Sequence, residues 1–540
     1  MRHLQDSPPP LSGSQLVFGT IALSTASFMT ILDSALASVS ISAIAGDLGV
    51  SPAQSTWVIT GFGAANAIAV PLVGWLSQRF GQVRLLVSLL LMFVTASLMC
   101  GLAPTIEILI ILRVIQGLCV GPIIPLSQTL LLGSYPMAKA GTALAASSVT
   151  VMVAPVIGPV MGGWLTDTLS WRWVFFVNVP IGLLVAALVW IVYRHREIQP
   201  KRVRVDFVGL GLLAVWVGSL QMMIGLGREL DWFDAWEIVA LAISAVVGLV
   251  LFLAWELTDE HPVVDLRLFA NYNYALGTIV LAGGFSLFMA NSVLMPLWLQ
   301  QHIGYTAMLS GATVAPVGIL SILLTPWVGR NLHRYDARIL IVLGLGSYAL
   351  AFWIRSGFTP QTEMATVMLA SFVQGASSSF FFIPLQATMY HGLNAGRTPG
   401  AVGLASFVRL LMGAVGAATC VSLWESRATM HRAHLVETLP AESVASLQAQ
   451  GSLQAAGLAP DQQFATISRM IDQQAFTLAA TEISFASAII SSNSAYFATP
   501  ERSIISPGGP KLPLMPRQSP ASRSGKFFSH RAATFTPRIC

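Results

Sequence analysis

Ile111-Leu112-Arg113-Val114-Ile115-Gln116-Gly117 and, forty-five residues after the arginine, Gly158-Pro159-Val160-Met161-Gly162-Gly163 lie in two long apolar runs between Glu107 and Leu165. An arginine in hydrocarbon costs from about 2.5 to more than about 10 kcal/mol, so Arg113 should face a bundle interior or a wet cavity. A proline beside three glycines predicts a bend and close helix contact. Together they point to a membrane protein that moves something.

The rest of the chain agrees. It has 540 residues, 54% of them apolar and 10% charged, with a mean hydropathy of +0.70. That is far from the roughly one-quarter charged residues of globular proteins, and it excludes a soluble protein. The net charge of +5 raises nucleic acid as a partner. The basic residues are scattered through short loops, however, so membrane topology explains them better and no nucleic-acid partner is expected. Cys100, Cys119, Cys420 and Cys540 show no metal-like or paired spacing and read as small packing residues.

At about 20 residues per crossing, thirteen spans are legible. They are 16–38, 54–76, 84–103, 107–133, 140–165, 171–193, 206–227, 236–256, 274–300, 307–328, 338–357, 363–390 and 400–424. Basic residues fall in every second connection, including Arg79 with Arg84, Lys139, the 194–204 cluster, Arg267, the 330–338 cluster and Arg397. This places the leader, 1–15, in the cytoplasm. A polar external loop, 425–474, carries apolar residues at helical spacing and predicts short amphipathic helices. The fourteenth candidate, 475–490, is rich in Ser, Thr and Ala and interrupted by Glu482, so it is expected to insert poorly. From 491 to 540 a basic, Ser- and Pro-rich tail reads as disordered.

Asp33, inside the first span, suits a proton carrier or a binder of cations; the alternative is a structural carboxylate near the interface. Arg113 lacks a carboxylate within one helical turn, so its partner must come from another helix or from backbone carbonyls. Asn66, Gln116, Gln128, Asn291, Phe382, Gln386 and Arg409 are candidates for lining a cavity, with interhelical bonding the plainer alternative for the polar ones. The sequence carries no Walker loop, no His-Glu-x-x-His and no Gly-x-Ser-x-Gly, so neither an enzyme, a metal site nor direct use of ATP is expected.

Several motifs resemble the major facilitator superfamily, and more narrowly its EmrB/QacA-type drug:proton antiporters with fourteen helices. Gly74-Trp-Leu-Ser-Gln-Arg79-Phe-Gly81-Gln-Val-Arg84 resembles the superfamily's gating loop, with Gln78 where an Asp is usual. Leu112 to Gly117 resembles the motif tied to proton coupling, and Ala154 to Gly163 the antiporter motif. Leu32-Asp33, Ser170 to Gly182, Val205 to Gly209 and His261 to Phe269 also match. The resemblance implies an all-α fold of two six-helix bundles, 16–193 and 274–424 plus a last helix, around a cavity, with 206–256 as two inserted helices.

The resemblance also implies a multi-pass inner-membrane exporter of amphipathic or cationic drugs, driven by the proton gradient without a cofactor. Asp33 and Arg113 would serve coupling, Gly158, Pro159, Gly162 and Gly163 the antiporter bend, and Gly74, Arg79, Gly81 and Arg84 the gate. A periplasmic adaptor and an outer-membrane channel are implied partners if the cell is Gram-negative. The chain departs from the family after Ile483, where an altered reading frame is one explanation. Export of one metabolite or siderophore, or a non-transporting relic, are the rival readings.

Overall fold

The computed structural model describes residues 10–136, 139–197, 206–227, 230, 232–259, 262–391, 393, 397–438, 444–455 and 458–497. Among these there is no β-strand. The first bundle contains α1 (Gly13–Val39), α2 (Ile41–Leu48), α3 (Pro52–Ala69) and α4 (Val73–Phe80), then α5 (Gln82–Gly101) and α6 (Ile106–Ser134). It is completed by α7 (Ala140–Thr168), α8 (Trp173–Phe176) and α9 (Asn178–Tyr193). The inserted pair is α10 (Phe207–Leu226) and α11 (Trp236–Thr258). The second bundle contains α12 (Tyr272–Gln301), α13 (Ala307–Val314), α14 (Pro316–Asn331), α15 (Ala337–Ser356) and α16 (Met364–Met389). It ends in α17 (Thr398–Thr438), α18 (Val444–Ala455) and α19 (Pro460–Phe497).

Local chemistry sets the ends. Ser51 and Gln54 form a reciprocal capping box before Pro52, where the missing N–H costs nothing. Asp206, Asn271 and Thr306 accept from the first free amides of α10, α12 and α13. The described residues contain thirteen segments long and apolar enough to cross a membrane. α7, with 29 residues, also exceeds the length a bilayer requires.

The inserted pair leans on α3, where Gly225 of α10 lies against Thr60, and reaches α17 through Trp216 and Phe407, 5.7 Å apart edge to face. The two bundles meet where bare backbones touch. A Cβ on Gly74 would lie 2.8 Å from the Gly400 Cα, and one on Gly141 would lie 2.7 Å from the Gly329 carbonyl oxygen. Leu144, Ala145, Val328, Leu340 and Ile383 fill the seam beside the second contact. Both contacts are at the end of the molecule that carries Arg79, Lys139, Arg330 and Arg397.

Three readings of the C-terminal region change. The helices of the polar region 425–474 are not all short and separate, because α17 runs on to Thr438 and α19 begins at Pro460, with α18 between them. α17 and α19 are tied by Arg432–Asp472 at 2.6 Å and His431–Glu482 at 3.1 Å. His302 stacks on Phe476 at 3.9 Å, and burial holds its imidazole below its ordinary value. The last helix is 38 residues long, not a short span over 475–490. Its Ser, Thr and Ala residues form a packing face: Ala475, Thr477, Ala479, Ser484 and Ser491 are buried, and small side chains allow helices to approach. Thr477 and Ser484 donate to carbonyls one turn back, Trp298 donates to Thr477 at 3.0 Å, and Glu482 has His431. Finally, helix continues through 491–497, where a disordered tail was expected. The remainder of that tail, 498–540, lies outside the described residues, as does most of the segment for which an altered reading frame was raised.

Candidate functional site

Asp33 and Arg113 meet inside the first bundle. Arg113 Nη1 donates to Asp33 Oδ2 at 2.7 Å, and the side chains are 1% and 0% exposed, so water does not screen the pair. Gln116, one turn from Arg113, accepts from the same Nη1 on Oε1 at 2.8 Å and donates from Nε2 to Asp33 Oδ1 at 3.3 Å. Arg113 Nε donates to the Val58 carbonyl at 3.4 Å, and the guanidinium lies 4.1 Å from the Phe62 ring centre. The residue types fit the place: a carboxylate in low dielectric needs several donors, and an arginine needs matching acceptors.

Two members were not singled out from sequence. Asn178 Nδ2 donates to Asp33 Oδ1 at 2.7 Å and to Ser97 Oγ at 3.1 Å; Ser97 in turn donates to the Phe175 carbonyl at 2.9 Å. Asn178 belongs to a motif quoted above, and an asparagine at a helix start amid Val and Phe was the available signal. Ser97 had none. Cys100 borders the cluster, donating to Gln116 Oε1 at 3.8 Å.

The antiporter motif lies on α7, against the stretch of α1 that carries Asp33. A Cβ on Gly158 would strike Ala35, and one on Gly162 would lie 3.2 Å from the Leu36 backbone, so α7 lies directly on α1 within a turn of Asp33. Gly163 faces open space, and the Pro159 side chain is outside what is described. α7 runs as one unbroken helix from Ala140 to Thr168.

The gating loop has its own carboxylate. Gly81 adopts φ 85°, and its missing Cβ leaves room for Glu197, which accepts from the Val83 amide at 3.3 Å and the Arg84 amide at 2.9 Å. Glu197 thus sits on the positive end of α5, in a loop where Gln78 supplies no charge. Arg79 lies over Trp75 and Phe80, 5.6 and 5.8 Å from their ring centres.

The candidate lining residues scatter. Asn66 packs its backbone on Gly117 and Gly121; Gln128 and Gln386 are each 7% exposed. Phe382 forms a ring triangle with Phe285 and Phe288, at centre distances of 6.1 and 6.3 Å. Arg409 is half-buried beside it. Asn291 belongs elsewhere: it accepts from Arg355 Nη1 at 3.2 Å in a second buried cluster. There Arg355, 1% exposed, also donates to Gln374 Oε1 at 2.6 Å and Ser371 Oγ at 3.4 Å. Arg355 was missed because it lies in the last turn of its span, where an arginine reads as interfacial. Among the described residues no His, Cys, Asp or Glu group could hold a metal ion.

Known proteins resemble the chain along most of its length. The Major Facilitator Superfamily profile matches residues 23–417. The chain is 44% identical to the multidrug export protein EmrB of Haemophilus influenzae, over 89% of this chain and 94% of that protein. It is 42% identical to EmrB of Escherichia coli K12, over 89% and 94%, and 40% identical to the fatty acid resistance protein FarB of Neisseria gonorrhoeae, over 89% and 95%. Among solved structures, the proton:xylose symporter XylE shares the fold with a TM-score of 0.53 at 14% identity, over 86% of this chain and 94% of that one.

Proposed function

The chain belongs to the Major Facilitator Superfamily, a multi-pass protein of the inner membrane, and from that premise we propose that it exports amphipathic toxic compounds in exchange for protons. The observation that carries the reading is the sealed Asp33–Arg113 pair, a titratable contact between α1 and α6. Protonation neutralises Asp33 and releases Arg113 to Gln116, the Val58 carbonyl and the Phe62 ring; deprotonation restores the pair. A shift of α1 passes to α7 at Ala35 and Leu36, and α7 carries Gly141, half of one inter-bundle contact. Protonation thereby biases one bundle against the other, as alternating access requires.

The seam lies at the basic end, which the charge rule assigns to the cytoplasm. The state described here is therefore closed inward, ready to receive protons and discharge cargo outward. The named activities of EmrB and FarB put drugs and fatty acids in the substrate set to be tested. A periplasmic adaptor and outer-membrane channel fit the helical extension of α17 and α19 as partners. The test is flux in proteoliposomes with an imposed pH gradient. Asp33→Asn should lose gradient-driven export yet keep gradient-independent exchange; wild-type flux in Asp33→Asn and Arg113→Ala would overturn the assignment.

A further inference from the structure

Arg409 is the charge that the coupling network leaves over. It lies roughly 17 Å along α17 from Thr398, at about 1.5 Å per residue, and so about halfway through a hydrocarbon core of about 30 Å. Its guanidinium stands 4.8 Å from the Phe285 ring centre. Among the described residues it has no ion pair and no hydrogen bond; the Tyr390 phenol is the titratable group that senses it. The other two arginines inside the bundles have polar partners, Arg113 in Asp33 and Arg355 in three neutral acceptors that take its terminal nitrogens.

An unpaired cation at this depth cannot face lipid. Arg409 is half-buried, so part of its side chain is left open to a ligand. Its surroundings are apolar and aromatic: Phe285, Phe288 and Phe382 touch edge to face or stacked, all within 6.3 Å. Gly413, one turn further along α17, has no side chain where Phe285 and Met289 press, which brings α17 and α12 together around the group. The complementary ligand has an aromatic or alkyl body and an anionic head, because a guanidinium grips planar oxyanions through paired N–H groups. A cationic head finds no counterpart in Asp33, which is completely buried and already holds Arg113, Gln116 and Asn178.

We infer that Arg409 is the head-group site of the export cavity and that, with the phenylalanine triangle, it selects amphipathic organic anions over cations. The inference rests on the export reading above and refines its substrate class. Two fluorescent probes of opposite charge test it, anilinonaphthalene sulfonate and ethidium, in proteoliposomes under a pH gradient.

Arg409→Gln should lower kcat/KM for the sulfonate by at least about tenfold, chiefly through KM, with ethidium flux within about twofold of wild type. Arg409→Lys should retain more sulfonate flux than Arg409→Gln, and Arg409→Glu should shift the preference toward ethidium. Sulfonate flux in Arg409→Gln within about twofold of wild type would overturn the inference, as would equal loss of both probes in a protein that keeps its wild-type melting temperature. If wild type moves neither probe, the export reading fails instead. Equilibrium dialysis of the sulfonate against purified protein then decides the site alone: weaker binding by Arg409→Gln supports it and equal binding overturns it.

Discussion

The two bundles carry a similar buried polar scaffold, yet only one of the two clusters contains a carboxylate. Gln116 and Gln374 are both eleventh in their helices, α6 and α16, and each is followed by a glycine whose missing side chain admits a neighbouring backbone. Arg113 and Ser371 are both eighth in those helices; Cys100 and Arg355 are both nineteenth in α5 and α15. Asp33 is twenty-first in α1 and Asn291 twentieth in α12. The second bundle has thus moved its arginine to the neighbouring helix and exchanged the carboxylate for an amide. A carboxylate facing an arginine changes charge with a proton, whereas an arginine among neutral acceptors keeps its charge at any accessible pH. On the coupling proposed above, the first bundle would respond to protons while the second serves as a fixed reference.

The sharpest way to break that contrast is to remove each arginine. Arg113→Ala strands a buried carboxylate and should cost about 3–5 kcal/mol. Arg355→Gln strands only neutral groups and should cost about 1–3 kcal/mol. Chemical unfolding in detergent measures both, and flux in Arg355→Gln should keep its wild-type dependence on pH; equal costs and equal loss of pH response would end the distinction.

A second experiment sharpens it by construction. Asn291→Asp gives Arg355 the partner that Arg113 has, adding a charge-assisted bond of about 1.5–3 kcal/mol at most before desolvation is subtracted. A melting-temperature rise at neutral pH that fades in acid, with an altered proton-to-substrate ratio, is the expected result. An unchanged ratio would mean that position in the repeat does not by itself confer coupling.

The smallest effect belongs to the seam between the bundles. Gly141→Val puts a branched side chain onto the Gly329 carbonyl and should weaken the closed state by about 1–3 kcal/mol. Thiol labelling of cysteines placed along the inward path, in a background without native cysteines, should rise; unchanged labelling would show that the seam does not set the equilibrium.

Much of this was legible in the chain. Hydropathy located the helices because a bilayer tolerates no other unsatisfied backbone, and the alternating arginines placed their ends. Arg113 and Asp33 announced themselves because charge in hydrocarbon is costly. That they pair with each other was not legible: eighty residues separate them, and the contact exists only once α1 lies beside α6. Asn178 and Ser97 were hidden for a related reason, since single polar residues inside spans usually bond locally. Arg355 looked interfacial, and the last helix looked too polar, because composition does not distinguish a small-residue packing face from a poor membrane anchor. Asn291 shows the limit most clearly. As an amide in a span it reads as cavity lining, and only its guanidinium neighbour reveals that it is sealed away.

The seam of Gly74 on Gly400 and Gly141 on Gly329 bears on how the molecule would switch. Backbone pressed on backbone holds through dispersion, which fades within an ångström of separation and carries no charge for salt to screen. Such a closure has little middle ground: it is engaged or it is gone. An exporter that seals this way admits few half-open states through which protons could slip, and its opening rate should be indifferent to ionic strength.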